Sequence, residues 1–243
     1  MRLLTIAATF AIASSTFGQF GGMIDRPMGA GAGYVGQWIG VDVDAINDEL
    51  GAFGVDDLSS GFYGSGGTGM AYIGALKGLR VGGVFASGGT SSTGAVNNYD
   101  REARYEYGFG GLTLEYTLPV SRSVAFSIGA TIGYGGSTLE IFSNNGPYNW
   151  ETEWAQTLGT NASTDNIYRK FECSYWTLAP TLNVDIPLYS LAYLRLGGGY
   201  NLALADDDWE ADNGVRVKNM PNDINNDAYY IQAGLIVGFF LFF

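Results

Sequence analysis

An antiparallel up-and-down β-barrel of about eight strands is the fold this sequence predicts, and three observations predict it. Apolar residues recur at every second position over several segments, which is the period of a strand. The positions between them are mostly small rather than charged. Only 15% of the 243 residues are charged, while glycine occurs 37 times; an ordinary soluble domain has roughly 25% charged residues. A soluble sandwich strand turns its polar face to water. A strand with one apolar face and one small face fits a barrel wall with lipid outside and a narrow lumen inside, so the predicted class is all-β and transmembrane.

The elements follow in order. Arg2, an apolar run over residues 3–12 and the small residues Ala13, Ser14 and Ser15 read as a secretory signal over residues 1–18, with Gln19 the first residue after cleavage. Residues 19–243 then form one barrel domain. They contain no run of ~18 apolar residues for a spanning helix. Strands are expected at about 33–43, 66–76 and 79–88. The first has the weakest pattern, because Trp38 and Ile39 fall on opposite faces. Residues 44–50 suit one or two helical turns capped by Asp44. The run Gly64-Ser65-Gly66-Gly67-Thr68-Gly69 lacks the Lys-Ser/Thr ending of a phosphate loop, so it reads as a strand that curves or accepts large neighbours.

The alternation is clearer further along. Over 104–118, Leu112, Leu114, Tyr116 and Leu118 alternate with Gly111, Thr113, Glu115 and Thr117. Over 122–138, Phe126, Ile128, Ile132 and Tyr134 alternate with Ser127, Gly129, Thr131 and Gly133. Over 168–186, Trp176, Leu178, Leu182 and Val184 share a face with Pro180, where the missing N–H predicts a bulge or break. Strands at 190–204 and 227–243 complete eight. The last puts Tyr229, Ile231, Ala233, Leu235, Val237, Phe239, Leu241 and Phe243 on one face, and both faces become apolar near its end. Joins are expected to alternate: short at 77–78, 119–121 and 187–189, long at 44–65, 89–103, 139–167 and 205–226. That sorting suits a barrel with one end inside and one outside.

Four charged residues, Arg80, Glu115, Asp185 and Arg195, fall on the inward parity near one end of their strands. In a narrow lumen they should pair, since a lone buried charge costs several kcal/mol, on the order given for ions leaving water. The set reads either as a gate on an ion path or as a plug that fixes the barrel, and a small glycine-rich lumen favours the plug.

Other chemistries find little support. A net charge of −12 argues against nucleic acid as a partner. The absence of histidine removes the common general base, so no catalytic residue is assigned. The lone Cys173 forms no internal disulfide. Residues 206–214 are rich in carboxylates, but their spacing does not match a calcium loop and they read as a solvated acidic loop. Zinc has no Cys/His set. No metal or cofactor is expected. Tyr148, Trp150, Trp154 and Trp209, beside several carboxylates, suit either a sugar-stacking or adhesive face or an aromatic girdle with loop packing, and the girdle and packing reading is favoured.

At this point the chain resembles the small, eight-stranded outer-membrane β-barrel proteins of Gram-negative bacteria. The likeness covers most of the chain as architecture and is specific at its end, where Tyr229, Leu235, Val237, Phe239, Leu241 and Phe243 match that family's terminal strand. The resemblance implies an outer-membrane location, the lipid bilayer as surroundings and the barrel-assembly machinery as partner during insertion. The expected function is structural or surface-interacting, with a side-chain-filled lumen, acidic exterior loops and a surface ligand for loops 139–167 and 205–226. The alternatives are a small porin-like channel and a secreted soluble β-protein that binds a surface ligand.

Overall fold

A computed structural model describes residues 28–121, 124–147, 149–159, 166–189, 191–206, 208–221 and 224–241. The expected signal at 1–18, Tyr148 and Phe243 lie outside the described residues.

Alternating side chains generate long strands: β1 (Met28–Val41), β2 (Gly61–Tyr72), β3 (Leu79–Val96), β4 (Tyr99–Ser121), β5 (Val124–Asn144), β6 (Ile167–Tyr189) and β7 (Ala192–Asp206). Two short strands follow, β8 (Glu210–Ala211) and β9 (Val215–Arg216), and then the long β10 (Ala228–Leu241). Helix α1 (Asp44–Phe53) joins β1 to β2, and α2 (Trp150–Thr157) lies between β5 and β6. The sheet has ten strands in the order β5-β4-β3-β2-β1-β10-β7-β6-β8-β9, with a further β5–β6 pairing. The eight long strands therefore pair in a ring, every neighbour antiparallel. The count exceeds the expected eight by the β8–β9 hairpin, which pairs with the upper edge of β6.

The register is staggered. From Tyr34 the pairing runs one way through Gly67, Phe85, Gly110, Tyr134 and Trp176 to Ala205 on β7. The other way it passes Leu235 and reaches β7 at Leu194. Such a shift around a closed ring means that the strands tilt against its axis. Met28 pairs with Leu241, so both ends of the ring's chain lie at one end, here called the base, with the β2–β3, β4–β5 and β6–β7 joins.

Three sequence expectations change. The join at 89–103 is not a loop: β3 and β4 continue through it and meet at Asn97-Asn98, whose φ values of 54° and 67° make a tight turn. Residues such as Thr90, Ser91, Ser92 and Thr93 are polar on both faces, so hydropathy alternation fades while the backbone ladder persists. Strict alternation of short and long joins fails for that reason. Secondly, no bulge forms at Pro180: β6 keeps its register there, its pairing with β7 is interrupted locally at residues 179–180, and the register shifts fall at Trp176/Thr177 and Pro187/Tyr189. The exposed proline costs one ladder donor without displacing the strand. Thirdly, Asp44 does not cap α1. Val43 holds the cap position without a side-chain bond, Asp44 sits in the first turn, and its N–H donates to Asp42 Oδ1 at 3.2 Å. Gly54, at φ 79°, ends the helix in the left-handed region that glycine occupies without a Cβ clash.

The apolar face inverts along the long strands. On β4 the outward residues near the base are Leu112 and Leu114, and further along they are Glu106 and Arg104. Inward, the order reverses: Glu115 and Thr117 near the base, then Phe109, Tyr107 and Tyr105. β5 and β6 do the same. Phe126, Ile128, Ile132 and Tyr134 give way outside to Thr138 and Glu140, and Leu182 and Trp176 give way to Glu172 and Lys170. At the change of sign stand three cross-strand aromatic pairs, Trp38 with Tyr63, Tyr134 with Trp176 and Tyr229 with Tyr200, all exposed. Tyr134 and Trp176 meet edge to face at 5.9 Å.

Candidate functional site

Inside the ring the side chains form layers. At the base, Met70, Tyr193, Ile236 and Phe240 make a small apolar cluster, with Tyr193 and Phe240 edge to face at 4.8 Å. This cluster explains why the last strand is apolar on both faces: Phe239 points out while Ile236 and Phe240 fill the interior.

Above it sit the four charged residues picked out in the sequence, and the structure brings all four together. Arg80 Nε donates to Glu115 Oε2 at 2.6 Å and Arg80 Nη1 to Asp185 Oδ2 at 2.7 Å. Arg195 Nε donates to Asp185 Oδ1 at 2.9 Å, and Arg195 Nη1 and Nη2 reach Glu115 at 3.3 Å. Each carboxylate therefore lies between two guanidinium groups, and all four residues are buried. Planar forks suit this bridging, since one arginine can address two carboxylates. Ser127 adds a hydroxyl to Asp185 Oδ2 at 3.0 Å.

The polar set extends beyond the four. Asn183 Nδ2 donates to Glu115 Oε1 at 2.9 Å, Gln232 Nε2 to Asn183 Oδ1 at 2.7 Å, and Gln37 Nε2 to Gln232 Oε1 at 3.2 Å. For Asn183 and Gln232 the sequence carries a readable signal, since both fall on the inward parity of their strands, Asn183 two residues before Asp185. Higher on β5 and β6, the hydroxyls of Thr131, Thr177 and Thr181 are buried without a hydrogen-bond partner.

The upper interior is apolar and aromatic. Tyr107 stacks on Tyr175 at 6.0 Å, Phe109 lies 5.4 Å from Tyr230, and Phe62 meets Tyr105 edge to face at 6.5 Å. Tyr175 passes so close to Gly135 that a Cβ there would stand 2.5 Å from its ring. The connection carrying α1 completes this cluster with Ile46, Leu50, Val55 and Leu58. Asn47 holds the connection in place, exchanging bonds of 3.1 and 2.8 Å with Leu58, and Arg101 donates to the Phe53 carbonyl at the helix end.

The aromatic residues singled out in the sequence separate. Trp209 is buried in the interior cluster, while Trp150 and Trp154 project from α2. None of these three stands in the ring of aromatics at the change of sign, which is formed instead by Trp38, Tyr63, Tyr134, Trp176, Tyr200 and Tyr229. The described residues of the terminal strand, Tyr229, Leu235, Val237 and Phe239, face outward, and Leu241 ends the strand. Among the described residues no group of three His, Cys, Asp or Glu side chains is placed to hold a metal ion.

The chain is similar to Ail, the attachment invasion locus protein of Yersinia pestis, in two crystal structures. In the complex with the heparin analogue sucrose octasulfate, the likeness covers 88% of this chain and 99% of Ail, at 11% identity and a TM-score of 0.42. The other structure of Ail gives the same coverage at 10% identity and a TM-score of 0.39. A major outer membrane protein from Thermus thermophilus is similar over 86% of this chain and 99% of its own, at 9% identity and a TM-score of 0.41. No protein-family model matches the chain, and no curated protein matches it in sequence.

Proposed function

We propose that this chain is an outer-membrane β-barrel with a structural and surface-interacting role, closed to ions and carrying an acidic exterior end. The observation that carries the proposal is the inversion of the apolar face along β4, β5 and β6. A wall in water throughout would keep one apolar face, inward. Here the lower wall turns its apolar side outward, Leu112 being 73% and Phe85 65% exposed, and the upper wall turns it inward. A lipid band around the lower half and water around the upper half account for both signs, with Trp and Tyr at the boundary. A belt of this size in water would be an aggregation hazard, which disfavours a secreted soluble protein.

Within this reading, residues 1–18 direct export, and β10 engages the barrel-assembly machinery. The cluster of Arg80, Glu115, Asp185 and Arg195 acts as a plug rather than a gate. Its support is the mutual bracing of the four charges between an apolar base and an aromatic upper layer. The exterior connections, among them the one between β5 and β6 and the one between β7 and β10, present the carboxylates to a surface partner.

Membrane fractionation with heat-modifiable migration on a gel tests the location and the barrel together, and planar-bilayer recording tests the plug. The expected results are recovery in the outer membrane, a migration shift on boiling and no steady current. Recovery as a water-soluble monomer overturns the barrel, and a steady open-channel current replaces the plug with a small pore.

A further inference from the structure

Helix α2 carries an exposed apolar stripe that the barrel does not use. Trp150 is 76% exposed, Trp154 48% and Leu158 71%. They stand four residues apart, so they share one face, and the Leu158 N–H still donates to the Trp154 carbonyl. The two indoles meet edge to face at 5.6 Å. The helix is ordered from both ends of its connection. Asn149 Oδ1 accepts from the N–H groups of Glu151 and Thr152 at 3.0 and 3.2 Å, and Asn166 Nδ2 donates to Glu153 Oε1 at 3.5 Å. These bonds hold the short helix that presents two tryptophans to water, and exposed tryptophans on an ordered element are favoured binding anchors.

The charge around the stripe selects its occupant. Glu151 and Glu153 flank the indoles, and the sequence from Asn145 to Tyr168 contains no lysine or arginine. An anionic lipid surface is repelled by such a face, since surface binding of that kind relies on basic residues. A cation is attracted twice, by the carboxylates and by the indole faces. From this pairing we infer that the Trp150–Trp154–Leu158 face of α2 docks a protein segment that is both cationic and apolar. The inference rests on the outer-membrane reading above, because it requires this end of the barrel to face the exterior.

The test uses the purified full chain in detergent and a dye-labelled synthetic peptide of alternating lysine and leucine, followed by fluorescence anisotropy. The peptide should bind, and added salt should weaken it. The double variant Trp150→Ala/Trp154→Ala should weaken binding by ~10-fold or more, Trp150→Phe/Trp154→Phe should restore most of it, and Glu151→Gln/Glu153→Gln should lower it several-fold. Equal affinity for the alanine variant, or no binding by the native chain, overturns the inference. So does quenching of Trp150 and Trp154 by brominated lipids, read as a signal absent from Trp150→Phe/Trp154→Phe, which would assign the face to the bilayer. Heat-modifiable migration of the same samples reports the barrel separately. Loss of binding with migration intact removes the docking face alone.

Discussion

Arg195 on β7 grips Asp185 on β6, Nε to Oδ1 at 2.9 Å, and the same guanidinium reaches across to Glu115 on β4. One side chain thus ties three strands, two of them adjacent and one remote in the ring. Burial makes the tie consequential: the ions have left water, and each compensates the others' desolvation.

Removing one member should therefore cost more than a surface pair would. Arg195→Ala leaves Glu115 and Asp185 facing Arg80 alone, and a loss of about 3–5 kcal/mol is expected. A urea titration of the barrel in detergent, followed by far-UV circular dichroism, should show the lower midpoint. By contrast, Arg216→Ala, whose partner Asp208 is exposed, should leave the midpoint within about 0.5 kcal/mol of the native one.

The threonine layer should behave in the opposite way. Thr131, Thr177 and Thr181 bury hydroxyls that have no hydrogen-bond partner. Valine has nearly the same shape and no polar atom. Thr177→Val should be neutral or stabilising by up to about 1 kcal/mol, because it removes an unmet donor without opening a cavity. A clear loss in the same urea titration would show that the hydroxyl is engaged in the native state.

Close packing of Tyr175 over Gly135 predicts strain from a single methyl group. Gly135→Ala should destabilise by about 1–3 kcal/mol, as overpacked cores do. Tyr175→Leu should cost stability on its own and yet relieve part of the Gly135→Ala penalty. A double-mutant cycle with a coupling beyond about 0.5 kcal/mol is the expected outcome.

The inverted wall makes the most direct prediction about surroundings. Leu112→Arg and Ile132→Arg place a charge on the outward belt, where a cost of about 2–4 kcal/mol is expected near the bilayer midplane. Thr138→Arg lies on β5 too, outward and beyond Tyr134, and should be tolerated. Folded yield in the outer-membrane fraction compares the three variants. Equal yields would mean that no lipid band surrounds the lower wall.

Strand parity could be read along the sequence because it is local: the pleat sends neighbours to opposite faces whatever the rest of the chain does. Leu112, Ile132, Leu235 and Val237 were placed outward, and Glu115, Asp185 and Arg195 inward, on that ground alone. Strand length could not be read in the same way. Above the aromatic ring the polar residues of β3 erased the alternation while the ladder continued. The neighbours across the lumen were also hidden, because they depend on the stagger of the whole ring and on which connection folds inward. It takes the folded ring to place Arg80 between Glu115 and Asp185, to send Trp209 inside while leaving Trp150 in water, and to set α1 over the aromatic layer. The order of residues along the chain dictates which side chains face the lumen and which charges must meet there. Ring closure settles where they meet, since contact across a barrel is a property of its circumference and tilt, and no single strand carries that information.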